Sequence, residues 1–324
     1  MNRRSIIKVI SGLLALWPAA LFGQSPKRVP IVGVPFVYAR QNDEIMVALR
    51  KGLRDRGYVD GENIRIEHRF ADGRLERVPA MVQELVKLKV DVFVAGTEPI
   101  ARIMQEVSGT TPIVLVAMGF DPSAAGMIGS LNRPGGNVTG IYTRTGDTIG
   151  KQLELFKELR LGLSRVAAFY DGWGQTEIRA LESMASALGI RLVPIQLAEP
   201  YDYAAAFRSA KARKIEGGIM TFSPRLYVER SKVASAALAQ SFPTLSFDVG
   251  YAGAGGLMSY GPGRRETWER AAYFIDRILN GDKPSELPME EPRAYTLAVN
   301  VRTAKAIGMA IPESILARAD EIIR

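Results

Sequence analysis

Short apolar runs recur along this 324-residue chain, and an amphipathic stretch follows each of them. Val90 to Ala95, apolar apart from Asp91, and Pro112 to Met118 have no polar face to offer water. Strands of that kind belong inside a parallel sheet with helices on both faces. The stretches between them carry apolar residues at helical spacing, as in Ile45, Ala48, Leu49 and Leu53 of the helix expected over Asp43 to Arg56. Gly57 ends that helix and Asp60-Gly61 makes a turn. Ile64 to Phe70 alternates apolar with polar residues, as a half-exposed strand does. Further helices are expected over Leu75 to Leu88, Pro99 to Val107 and Ser123 to Leu131. Such β-α repetition gives doubly wound α/β sheets with right-handed crossovers.

The rhythm pauses at Asn132 to Gly140, a tract dense in turn residues and the best candidate for a first passage between two lobes. It then restarts. Strands are expected at Arg165 to Tyr170, Arg191 to Leu197, Gly218 to Phe222, Thr244 to Asp248, Gly256 to Tyr260 and Tyr295 to Val301. The helices between them include Tyr227 to Gln240 and Arg265 to Leu279, and two short helices close the chain. A length of 324 residues suits two cores better than one.

The first 23 residues read as an export address. Arg3, Arg4 and Lys8 precede a mostly apolar stretch from Val9 to Phe22, and small residues follow at Ala19, Ala20 and Gly23. The stretch is too short for a comfortable membrane span. Its Arg3-Arg4 pair partly resembles a twin-arginine signal. The expected mature chain begins near Gln24 and is periplasmic.

With no cysteine, the chain has no disulfide, thiolate metal site, cysteine nucleophile or lipid anchor on a cysteine. One histidine, His68, leaves no multi-histidine metal site. The net charge of +8 comes from scattered lysines and arginines, three of them in the leader. There is no basic run with interleaved aromatics, so no nucleic-acid partner is expected.

Several runs resemble one family, the substrate-binding proteins of ABC transporters with the type I periplasmic-binding fold, which includes tryptophan- and tyrosine-type uptake proteins. They are Gly57 to Ile64, Leu85 to Val92, Arg133 to Gly140, Gly255 to Gly261 and Ile311 to Asp320. The resemblance runs from about Val29 to the C-terminus. The loop Pro35 to Arg40 departs from the small, glycine-rich form of relatives. The resemblance implies two parallel-sheet lobes joined by three crossovers, with the ligand between them. Placed on this sequence, the first lobe takes 24–140 plus 262–290 and the second 141–261 plus 291–324. It implies an inner-membrane ABC permease as partner, a monomer, no cofactor and no enzymatic activity.

Ligands of open α/β sheets bind beyond the carboxyl ends of the strands. That rule selects Gly96-Thr97-Glu98-Pro99, where Gly96 admits close approach and free amides with the Thr97 hydroxyl suit a carboxylate. Thr97 is equally suited to capping its own helix, and Glu98 opposes an anion unless it points away. Tyr38, Phe120, Tyr142, Trp173, Phe222 and Tyr251 are aromatics at loops or strand ends that can hold an apolar moiety, and core packing accounts for each singly. Asp121, Asp171 and Asp248 can meet an ammonium group or cap a turn. No residues combine as nucleophile, base and orienter. The function expected is a periplasmic binding protein that closes on an amino acid or related carboxylate and delivers it to a permease. A ligand sensor of the same fold that reports to a membrane signalling protein is the alternative.

Overall fold

The computed structural model of the chain describes residues 28–38, 43–117, 120–143, 145–160 and 162–324. The expected leader lies outside them. No helix among the described residues is long and apolar enough to cross a membrane.

The first lobe is a five-stranded parallel sheet, ordered β2-β1-β3-β4-β5. Its strands are β1 (Ile31–Phe36), β2 (Arg65–Phe70), β3 (Val92–Ala95), β4 (Ile113–Ala117) and β5 (Val138–Tyr142). Helices α1 (Glu44–Arg54), α2 (Val78–Lys87) and α3 (Glu98–Ser108) connect them. Alternation along β3 shows why the strand is apolar throughout. Val92 and Val94 join the core on one sheet face, while Phe93 and Ala95 join the core on the other. The turn tract after Asn132 does not itself leave the lobe. Val138–Tyr142 continues as an entirely buried strand in register with Ile113–Ala117, and the chain crosses after it.

The second lobe is a seven-stranded sheet, ordered β12-β11-β10-β9-β8-β6-β7. After helix α4 (Thr145–Leu159) come β6 (Arg165–Tyr170), α5 (Gln175–Ala187), β7 (Arg191–Gln196), α6 (Tyr203–Ala212) and β8 (Gly217–Met220). Then follow α7 (Pro224–Val228), α8 (Arg230–Ala239), β9 (Thr244–Ser246), α9 (Gly250–Gly253) and β10 (Met258–Pro262). Helix α10 (Arg264–Leu279) belongs to the first lobe. The chain returns for β11 (Tyr295–Asn300), α11 (Val301–Ala306), α12 (Glu313–Leu316) and β12 (Glu321–Ile323). Among the described strands, only the pairing of β10 with β11 is antiparallel. Three passages therefore join the lobes, after β5, after β10 and before β11.

Helix α10 is held to the first lobe by α1. A Cβ at Gly52 would lie 2.3 Å from the Glu269 carbonyl oxygen, so the two backbones meet where no side chain fits. Trp268, Ala271, Ala272 and Ile275 complete the same apolar core as Ile45, Leu49 and Leu53.

Two expected helices come out differently. Ser123 to Leu131 forms turns, with Asp121 Oδ1 accepting from the Ser123 and Ala124 amides and Gly126 at a φ of 69°. The helix expected from Tyr227 begins earlier and breaks at Glu229. Ser223 Oγ accepts from the Arg225 and Leu226 amides and starts α7 at Pro224.

Candidate functional site

In each sheet the strand order reverses once beside the first strand. The reversal lies between β1 and β3 in the first lobe and between β6 and β8 in the second. Such reversals leave a crevice at the carboxyl ends of the strands. Between the two crevices lies a small cavity of about 50 Å³, lined from both lobes.

The first lobe supplies Phe36, Val37 and Tyr38 after β1, and Gly96, Thr97 and Ile100 around the start of α3. Ile45 comes from α1, and Arg264 and Trp268 come from the first turns of α10. The second lobe supplies Phe222, Pro224, Tyr227 and Val228.

Thr97 occupies the N-cap position of α3 with extended backbone, yet its side chain makes no capping bond. The residue is 7% exposed, and its hydroxyl is buried without a hydrogen-bond partner. Native structures seldom leave such a group unmatched. A Cβ at Gly96 would lie 3.3 Å from the Trp268 indole, so the glycine lets that ring form the wall. Arg264 is stacked over Tyr227, with its guanidinium carbon 3.8 Å from the ring centroid. Its guanidinium makes no hydrogen bond or ion pair among the described residues.

Tyr227 bridges the lobes. Its hydroxyl donates toward Asp43 Oδ1 at 2.9 Å and Glu44 Oε1 at 2.8 Å, both at the start of α1. Arg230 also lies over the ring, 4.8 Å from its centroid, and reaches Glu44 at 3.8 Å. Burial and the carboxylates Asp43 and Glu44 raise the phenol pKa against the pull of Arg264, which keeps the hydroxyl a donor. These contacts tie the two lobes to each other across the cleft.

The residues proposed from sequence separate into groups. Tyr38, Gly96, Thr97 and Phe222 line the cavity. Glu98 turns away to pair with Arg102 at 2.7 Å. Asp121 caps the turn described above. Tyr142 is buried at the end of β5, and its hydroxyl donates to Glu291 at 2.8 Å, beside the third passage. Phe120 and Trp173 are half-buried against the apolar core that contains Tyr142. Asp248 accepts from the Gly250 amide, and its other oxygen has no hydrogen-bond partner, with Arg230 at 3.8 Å. Burial raises its pKa, and Arg264 and Arg230 oppose that. Asp171 is fully occupied, accepting from the Trp173 amide, the Ser223 hydroxyl and the Tyr201 hydroxyl.

Sequence reasoning missed Arg264, Trp268 and Tyr227. The carboxyl-end rule looks only at strand-to-helix loops of one sheet, whereas α10 enters from the other lobe. The signal for it was present in Gly261-Pro262-Gly263, a turn tract directly before Arg264.

Residues 32–323 match the model of one family, described as ABC transporter substrate binding protein. The chain belongs to that family. Its members bind substrates and are not enzymes, and they are typically extracytoplasmic. A tyrosine-binding protein of Clostridioides difficile (strain R20291) is 25% identical over 264 residues, covering 80% of this chain and 75% of that protein. A crystal structure of a conserved domain protein from Vibrio cholerae superposes with a TM-score of 0.84 at 24% identity, covering 91% of this chain and 100% of that one. An ABC domain from Streptococcus pneumonia in complex with L-Trp gives 0.81 at 23% identity, covering 91% and 99%. These likenesses place the fold among type I periplasmic binding proteins.

Proposed function

We propose that this chain is the periplasmic binding protein of an ABC uptake transporter, closing on a small carboxylate, an amino acid or a related acid, and presenting it to an inner-membrane permease. The observation that carries the reading is the Thr97 hydroxyl, buried without a partner at the N-terminus of α3 inside the interlobe cavity. A helix start with free amides favours an anion, and the unpaired guanidinium of Arg264 lines the same cavity. The aromatic walls suit an apolar remainder. The mature protein is taken to be a monomer released by cleavage of the leader. Closure transmits binding because only the closed form presents both lobes together.

The test is native mass spectrometry of the protein purified from its periplasm, with identification of whatever it carries. A bound small carboxylate supports the reading, and a sugar or a cation without a carboxylate removes it. N-terminal sequencing of the same material should begin near Gln24. An intact Met1 would refute the cleaved leader.

A further inference from the structure

We infer that the cavity selects a hydrophobic monocarboxylate without an α-ammonium group, such as an arylalkanoate, in preference to the corresponding amino acid. This rests on the carboxylate reading given above and narrows it. Binding a free amino acid in a dry pocket requires two charge partners, a donor set for the carboxylate and an acceptor set for the ammonium. Removing either charge from water without a partner is costly. The first set is present as the Thr97 hydroxyl, the start of α3 and the Arg264 guanidinium. The second is missing among the described residues, since none of those lining the cavity is an aspartate or glutamate.

The described carboxylates close to the cleft are engaged within the protein, apart from one oxygen of Asp248. Asp43 and Glu44 line the neighbouring, more open pocket beyond Tyr227, not this cavity. Asp43 caps α1 through the Ile45 amide and receives the Tyr227 hydroxyl, while Glu44 takes the same hydroxyl and faces Arg230. Asp248 stands outside the lining, against Arg230 and in the field of Arg264. Asp171 has three hydrogen-bond donors already. Glu98 is paired with Arg102. Glu177 is buried and accepts from the Phe222 amide. Burial pushes its pKa up to about 8, so it is largely uncharged at neutral pH. Residues 39–42, next to Tyr38 in sequence, read Ala-Arg-Gln-Asn, and residues 118–119 read Met-Gly, so neither stretch adds an acid.

The remaining lining is apolar or aromatic, with Phe36, Trp268, Phe222, Ile100 and Val228 around the space. That surface receives a ring or a branched chain, and its aromatic faces attract a cation only weakly compared with a carboxylate.

The experiment is isothermal titration calorimetry on the full mature chain, stripped of bound ligand and shown to be folded. It uses matched pairs: 3-phenylpropanoate with L-phenylalanine, 3-(4-hydroxyphenyl)propanoate with L-tyrosine, and 4-methylpentanoate with L-leucine. The neutral 3-phenylpropanamide serves as control. In at least one pair the des-amino acid should bind, at least about a hundredfold more tightly than its amino acid, the cost of burying an unpaired ammonium, and the amide should not bind. If the amino acids bind as tightly as their des-amino partners or more tightly, the inference falls and the carboxylate reading stands. If the amide binds as well as the acids, or no acid of either kind binds, the carboxylate reading falls and the inference with it.

Discussion

On the first-lobe wall of the cleft, the Thr97 hydroxyl has no hydrogen-bond partner and the Arg264 guanidinium stacks on Tyr227 without a hydrogen bond among the described residues, whereas on the second-lobe wall Asp171 alone collects three hydrogen bonds. The second lobe pairs several of its polar groups internally, while the Tyr227 hydroxyl goes to the first lobe. Ser223 starts α7 while also donating to Asp171, and Glu177 takes the Phe222 amide. What it turns to the cavity is Phe222, Pro224, Val228 and the ring of Tyr227. On the proposed reading, recognition belongs to the first lobe and coverage to the second. A ligand would dock on the open first lobe, and the second would close over it.

The largest effect on affinity that sharpens this contrast is expected at Arg264. Arg264→Leu should weaken binding of the cognate carboxylate about a hundredfold or more, the scale of losing a desolvated charge partner. Calorimetry checks it, and unchanged affinity in a folded variant would move recognition elsewhere. Next comes Thr97→Ala, which removes one bond to a charged group, worth roughly 1.5–3 kcal/mol and so about tenfold to hundredfold in Kd. Because Thr97 makes no capping bond, the ligand-free melting temperature should stay where it is. A fall in melting temperature with affinity retained would return Thr97 to a structural role. Thr97→Ser keeps the hydroxyl and should be mild.

On the other wall, Tyr227→Phe removes the hydroxyl that meets Asp43 and Glu44. It touches closure and leaves the anchors alone, so the expected loss is only about 1 kcal/mol, or roughly fivefold. Small-angle scattering should then show a larger radius of gyration at subsaturating ligand, and an unchanged profile would count against the bridge. Glu177→Gln should leave affinity unchanged and alter stability instead. The folded-state pKa of about 8 stands above the ordinary carboxyl value of 4.5, so the folded protein binds the extra proton and its stability falls as pH rises between those values. The wild-type melting temperature should drop across that window, and Glu177→Gln should flatten the drop. Parallel profiles for the two proteins would show that Glu177 does not titrate there.

Much of the fold was legible because the strands β3 and β4 are apolar on both faces and leave no other place to go. The start of α3 was legible for the same reason, since the carboxyl end of a buried strand marks a crevice. Gly96 and Thr97 follow directly from β3. The choice between cap and ligand for Thr97 was not legible, because it depends on where one hydroxyl points. Asp121 and Glu98 carried charges that suggested a site, yet each is satisfied locally, by a turn and by Arg102. Tyr142 ends a strand as Tyr38 follows one, but it faces the passage and not the cavity. Arg264, Trp268 and Tyr227 were hidden because their place in the cleft comes from how the lobes meet, and no local pattern records that.

Helix α10 has a mechanical consequence. Arg264 follows β10 after the single residue Gly263, while Gly52 clamps the body of the same helix against α1. The group proposed to grip the ligand thus sits almost on the pivot between the lobes, where the lever arm is shortest. A pull of a fraction of an ångström there becomes a much larger sweep at the far rims, and a tiny ligand suffices to drive it. The same gearing runs backwards, so a partner that pries the rims apart would work with full leverage on the grip of Arg264.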